Sequence, residues 1–336
     1  MKLKKTYIIA EAGINHNGNY KTALKLIDAA KKSGADAVKF QIFIPEDVVT
    51  AKGDMAKYAI KNMKIKEKQL KVIKKYSLSF FQHSKLMKYC KSKKIKYLCS
   101  AFDLKSLKFL FKNKLDIFKV PSGEITNYPY LQLLASFKKK IILSTGMSNI
   151  KEVKNALKIL TQNGSKKKDI TILHCHTDYP TDAKNVNLLA MNELKRKFQT
   201  HVGISDHTLG AEVPIAAVAL GAKIVEKHFT LSREFIGPDH KASMTPNELN
   251  DLVKSIRKTE LSLGRKLKSP SKKEKEILKL VRKSIVAKNN IKKGEIFNEK
   301  NLTTKRPGSG ISAIYWKKII GKKSNKNYKQ DELIKS

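Results

Sequence analysis

With 336 residues, 41% of them hydrophobic, the chain can fold as one large domain plus a small one, each with a buried core. Its 70 lysines and arginines against 29 acidic residues give a net charge of +41, yet only six of the basic residues are arginine, at 196, 233, 257, 265, 282 and 306. The lysines spread over the polar faces of most helical stretches with no dense patch, which favours a solvated surface over a nucleic-acid-binding protein.

The amino-terminal Met1-Lys-Leu-Lys-Lys-Thr-Tyr7 begins like a signal peptide, but Glu11 interrupts the apolar run, so a cytoplasmic address is expected. No apolar run approaches the roughly 18–20 residues of a membrane span. Cys90, Cys99 and Cys175 lack CxxC spacing and read as reduced thiols. Eight segments then read as short buried strands: 7–13, 37–41, 97–102, 117–123, 140–146, 170–176, 201–207 and 223–229. Between most of them, apolar residues recur at helical spacing, as in Ala23-Leu24 followed by Ile27 and Ala30. Eight strand-then-helix units predict a (β/α)8 TIM barrel. A doubly wound open sheet would want a glycine-rich phosphate turn after the first strand, and Gly13-Ile-Asn-His-Asn-Gly18 is not one.

A barrel carries its chemistry at the carboxyl ends of its strands. Here those ends bear Glu11, then Lys39 and Gln41, then Ser100, then Lys119, Ser122 and Glu124, then Ser144. They continue with His174, His176 and Tyr179, and finally Ser205, His207, Glu226 and His228. Charges inside apolar strands are costly unless paired or used. Lys39 and Lys119, with the hydroxyls of Ser122, Ser144 and Ser205, suit a small anion carrying phosphate and carboxylate. Glu11 and Glu124 can exchange protons or bind sugar hydroxyls. Either histidine alone would read as a strand cap, but His207 and His228 on neighbouring strands can together hold a divalent metal. Such a metal would polarise a carbonyl. Carbon–carbon bond formation suits this set better than metal-assisted hydrolysis, which the residues alone leave open.

Near Leu263 the pattern changes. A charged, Pro/Ser-punctuated linker over 265–281, with a short helix at 276–280, separates the barrel (1–264) from a small β-rich domain (282–336).

Read together, Ala10-Glu-Ala-Gly-Ile-Asn-His-Asn-Gly18, Val38-Lys-Phe-Gln41, Lys119-Val-Pro-Ser-Gly-Glu124, Ser144-Thr-Gly-Met147, Gly203-Ile-Ser-Asp-His207, Glu226-Lys-His-Phe229 and Gly237-Pro-Asp239 resemble the bacterial sialic acid synthase family. Lys305-Arg-Pro-Gly-Ser-Gly-Ile311 is similar to that family's antifreeze-like (SAF) domain. The resemblance implies a metal-dependent (Mn2+ or Mg2+) condensation of phosphoenolpyruvate with an open-chain acetamido sugar. N-acetylmannosamine is the leading acceptor. A diacetamido-trideoxyhexose, leading to N,N'-diacetyllegionaminate or pseudaminate, is the alternative. It further implies that His207 and His228 ligate the metal, and that Lys39, Lys119, Ser122, Ser144 and Ser205 hold phosphoenolpyruvate. Glu11 would be the acid/base or orienting carboxylate, Glu124 would help position water, and Gln41, Tyr179 and Asp239 would contact the sugar. Arg306 would reach the acetamido group across a domain-swapped homodimer. The chain departs from the family pattern at Thr177 and Asp178, and has Ser100-Ala101 where Thr-Pro is common.

Overall fold

The structure is a computed structural model describing residues 5–64 and 67–335; the first four residues of the basic amino-terminal stretch lie outside it. It divides into two compact units, Met1–Gly264 and Arg265–Ser336.

In the first unit eight parallel strands close into a barrel: β1 (Tyr7–Gly13), β2 (Ala37–Ile42), β3 (Lys96–Ala101), β4 (Ile117–Val120), β5 (Lys140–Ser144), β6 (Ile170–Cys175), β7 (His201–Asp206) and β8 (Ile224–His228). β1 pairs with both β2 and β8, which leaves no edge. The expected strands are all present, and most end sooner than the sequence suggested. Pro121, which has no N–H for the ladder, stops β4, and a 3-10 turn over Ser122–Glu124 follows.

Alternation along each strand sorts the side chains. Ile9, Ala37, Leu98, Ile117, Ile142, Leu173 and Ile224 form an aliphatic cluster of their own inside the barrel. The opposite faces carry Ile8, Val38, Phe118, Ile172 and Val225, which join the larger core under the helices. The helix Tyr20–Lys32 shows how that core is fed. Asn19 caps its first turn by accepting from Thr22 N, and Ala23, Leu26, Ile27 and Ala30 recur on one buried face. On β7 the inward position below Ser205 is Gly203, where a β-carbon would lie 2.3 Å from the Ile224 carbonyl oxygen. Only glycine lets β7 and β8 approach this closely.

Between β2 and β3 the chain makes more than one crossover helix. Helices at Pro45–Val48, Lys57–Met63 and Gln69–Tyr76 precede the crossover helix Phe80–Ser92. They carry a separate small core of Met55, Ala59, Met63, Val72 and Tyr76. This segment presses on the loop after β1 at Gly18, whose φ is +72° and where a β-carbon would meet the Lys75 carbonyl oxygen at 2.2 Å.

In the second unit β9 (Ser284–Ala287) pairs antiparallel with β10 (Leu302–Lys305) over a core that includes Ile285, Phe297, Leu302 and Tyr328. Elsewhere in this unit Ile291 and Ile296 contribute only isolated bridges, to Tyr328 and Lys323. The expected linker is more ordered than its composition implied: it belongs with this unit and contains the helix Lys272–Val281, started by a Ser271–Glu274 capping box. No helix among the described residues is long and apolar enough to cross a membrane.

Candidate active site

Two residues above the aliphatic cluster, the inward positions turn charged. Register places Glu11 beside Lys39 on β2 and beside His228 on β8, Ser100 beside Lys119, and Ser205 beside Glu226. Lys39 Nζ lies 2.8 Å from Glu11 Oε2, 3.8 Å from Glu226 Oε1 and 3.0 Å from Ser100 Oγ. Lys119 Nζ reaches Glu226 Oε1 at 3.2 Å, and the Ser205 hydroxyl donates to the same oxygen at 3.0 Å. Gln41 Nε2 donates to Glu11 Oε1 at 3.2 Å. All four charged side chains are buried. Such a cluster is a poor way to gain stability, because desolvation consumes most of the Coulombic attraction; a ligand is the better reason for it.

The charges are unequal. Burial alone would raise the Glu226 carboxyl, but Lys119 and Lys39 outweigh it and hold it at about 2. Burial raises Glu11, and the neighbouring Glu226 adds to the rise while Lys39 opposes it. Burial lowers Lys119, whereas Lys39 is raised because Glu11 and Glu226 more than offset its desolvation. Of the two ring carboxylates Glu11 is thus the more readily protonated, and protonating it leaves the ring with surplus positive charge for an anion. The Ser144 hydroxyl and Glu226 Oε2 are buried without a hydrogen-bond partner. Both face unmet bonding capacity that a ligand could satisfy.

His207 and His228 come together as the strand alternation requires, with ring centroids 5.2 Å apart. His207 Nδ1 donates to the His176 carbonyl, which leaves Nε2 as the lone-pair nitrogen. Burial pushes His207 down to about 4, and burial with the neighbouring imidazole pushes His228 well below its ordinary value. Both are therefore neutral donors near neutral pH, and His228 Nδ1 is buried without a partner. Among the described residues no group of three or more His, Cys, Asp or Glu converges on one point. As two neutral imidazoles on adjacent strands, the pair could hold a divalent metal.

Tyr179 packs against both rings, at 4.1 Å from His207 and 5.4 Å from His228, and Tyr58 stacks on Tyr179 at 4.9 Å. A cavity of about 280 Å3 opens here. Gln41, His228 and Asp239 line its polar side, and Val48, Val49, Met55 and Val72 its apolar wall. Burial, with the Glu11 charge adding, raises the Asp239 carboxyl to about 7.

Some expected residues stand apart from this cluster. Ser122 is half-buried on the turn after β4, where its Oγ accepts from Gly146 N at 3.0 Å. Glu124 is held by Asn127 Nδ2 at 2.6 Å and takes no part in the ion-pair network. His174 faces outward, bonded to the Val186 carbonyl at 2.6 Å. His240 is a loop anchor, bonded to Thr230 Oγ1 at 2.7 Å and Asn17 Oδ1 at 3.1 Å. Arg306 is exposed in the second unit. Glu226 was visible as a strand-end charge without a role, and two-residue alternation from His228 was the signal that aims it inward. Tyr58 and the apolar wall gave no such signal, because they come from the extra helices between β2 and β3.

Lysines and carboxylates ringed beneath paired imidazoles, at the carboxyl end of a (β/α)8 barrel, are the setting of an enzyme site for a small-molecule substrate. The chain belongs to the NeuB family: residues 26–268 match that family and residues 282–335 match the SAF domain. It is thus a member of the sialic-acid-synthase-type condensing enzymes. It is 50% identical over 333 residues to the N,N'-diacetyllegionaminic acid synthase of Campylobacter jejuni, covering 99% of this chain and 100% of that one. The protein of the same name from Legionella pneumophila is 42% identical, covering 96% of this chain and 91% of that one. Among solved structures, the N-acetylneuraminic acid synthetase of Leptospira borgpetersenii superimposes with a TM-score of 0.73 at 31% identity, covering 82% of this chain and 90% of that one.

Proposed function

We propose that this chain condenses phosphoenolpyruvate with an open-chain diacetamido-trideoxyhexose to give N,N'-diacetyllegionaminate and inorganic phosphate. This replaces N-acetylmannosamine, the acceptor favoured by the sequence, with its alternative. The observation that carries the choice is the apolar wall of Val48, Val49, Met55 and Val72 facing Tyr179 and Asp239. Two acetyl methyls and a deoxy carbon suit that wall better than the hydroxyl-rich end of N-acetylmannosamine. The two diacetyllegionaminic acid synthases among the relatives support it.

In this reading Lys39 and Lys119, with Ser144, Ser205 and Ser122, bind the phosphate and carboxylate of phosphoenolpyruvate and aim its carbon 3 at the aldehyde. The π pair between carbons 2 and 3 becomes the new bond from carbon 3 to the aldehyde carbon, the C=O π pair moves onto the aldehyde oxygen, which takes up a proton, and carbon 2 is left electron-deficient. Water adds at carbon 2, the bond from carbon 2 to the phosphate oxygen breaks, and phosphate leaves with that electron pair. Glu11, with its raised pKa, holds or delivers a proton beside the reacting carbons, and Gln41 orients its carboxyl. Glu124, held by Asn127 on the turn after β4, would help position that water. His207 and His228 would hold Mn2+ or Mg2+, whose chemistry is Lewis-acid polarisation of the aldehyde. Gln41, Tyr179 and Asp239 would position the sugar. Arg306 would come from the partner subunit of a domain-swapped homodimer acting in the cytoplasm.

Phosphate release from phosphoenolpyruvate, measured with a panel of acetamido sugars with and without chelator, tests this. We expect a kcat/KM at least about tenfold higher for the diacetamido sugar, a difference of ~1.4 kcal/mol in transition-state binding, and loss of turnover with chelator. Equal or better use of N-acetylmannosamine would overturn the acceptor assignment.

A further inference from the structure

Outside the barrel wall, back to back with the two imidazoles, lies an ion pair that the proposed reaction does not use. His207 and His228 point into the mouth, so their chain neighbours Asp206 and Lys227 point away from it, and the two are register partners. The Lys227 side chain is 0% exposed and that of Asp206 2%. Lys227 Nζ donates to Asp206 Oδ2 at 2.5 Å and to the carbonyl of Thr208. Asp206 in turn accepts from Thr208 N at 3.1 Å and from the Thr208 hydroxyl at 3.0 Å. The residue preceding His228 therefore grips the residues on both sides of His207.

We propose that Lys227, Asp206 and Thr208 form a clamp that fixes the spacing and angle of the two imidazoles, as positioning residues for the metal pair. This rests on the reading of His207 and His228 as metal ligands. A buried ion pair gains little stability over apolar side chains of similar volume. Its distinct contribution is direction: an ammonium bonded at once to residues 206 and 208 sets the backbone that carries His207. The ring of His207 is held separately from β6, through the His176 carbonyl. β8 thus secures the backbone that carries His207, and β6 secures its ring. Partners behind ligating histidines change metal affinity by about 10–100-fold.

Mn2+ titration of the full chain tests the clamp. The double variant Asp206→Asn with Lys227→Met removes both charges, so neither is left buried alone. It is expected to keep the wild-type circular dichroism and to bind Mn2+ at least about tenfold more weakly. Its affinity for phosphoenolpyruvate without metal should stay within about twofold, because Lys39 and Lys119 are untouched. Thr208→Val keeps the ion pair and deletes one hydroxyl; it should weaken Mn2+ binding by about threefold, and it decides the matter if the double variant does not fold. Folded variants that bind Mn2+ as tightly as wild type would overturn the clamp. A wild-type chain that binds no Mn2+, or a His207→Ala variant that binds it normally, would instead overturn the metal reading beneath it.

Discussion

Lys39 Nζ lies 2.8 Å from Glu11 Oε2, with 3% of one side chain and 2% of the other open to water. The ammonium is shared, since Glu226 lies 3.8 Å away on the other side. Lys39→Met would strand a buried carboxylate and should cost about 3–5 kcal/mol in urea denaturation, along with turnover. Adding Glu11→Gln should recover most of the stability and none of the activity. If the double variant stayed as unstable as the single one, the pairing would not be what the lysine contributes.

Gly203 marks a close contact between β7 and β8. Alanine there would meet both the Ile224 carbonyl oxygen and Leu173 Cδ2, the latter at 2.8 Å. The strands would have to part, at about 1–3 kcal/mol, as expected for overpacking. Thermal unfolding should show a lowered midpoint. An unchanged midpoint would mean that β7 and β8 separate freely.

Asp239, raised to about 7 by burial and the Glu11 charge, predicts a pH signature. A carboxyl whose native pKa lies above its unfolded value holds its proton more tightly when folded. Its stabilisation is complete below about 3.9 and is lost as the pH rises from there through about 7, at up to about 1.4 kcal/mol per unit. Asp239→Asn, which imitates the protonated acid, should remove that share of the slope. Parallel stability–pH curves for the two proteins would show that Asp239 does not titrate in this window.

The swapped-dimer proposal predicts complementation. Arg306→Ala should chiefly raise the KM for the sugar, whereas His207→Ala should abolish turnover. Mixed and reassembled, the two inactive or weakened variants should regain activity, because a hybrid dimer has one site with both residues intact. No gain on mixing would place Arg306 outside the site or in its own subunit's barrel.

How much of this was legible in the sequence depended on range. Two-residue alternation carries Ile9 to Glu11, Gly203 to Ser205 to His207, and Ile224 to Glu226 to His228, so the ring of functional groups could be read strand by strand. The helices between β2 and β3 could not, because lysines crowd their exposed faces and their small core around Met55 and Val72 forms only in three dimensions. Of the helix Lys272–Val281 only the part over 276–280 could be read, because Ile277, Leu280 and Val281 are all exposed in this chain and no core dictated its limits. The partnership of Lys227 with residues on either side of His207 has no sequence signature, since neither its spacing nor its composition differs from an ordinary buried strand.

The aliphatic floor beneath the charged ring, built from Ile9, Leu98, Ile117, Ile142, Leu173 and Ile224, fills the barrel interior on the side away from the mouth. In the proposed reaction, whatever settles between Lys39 and Lys119 has to pass the place where Tyr179 and Asp239 would receive the sugar. Traffic in the proposed reaction then runs in one order: the phosphate donor enters first, the sugar closes the door behind it, and the freed phosphate waits until the new acid has gone.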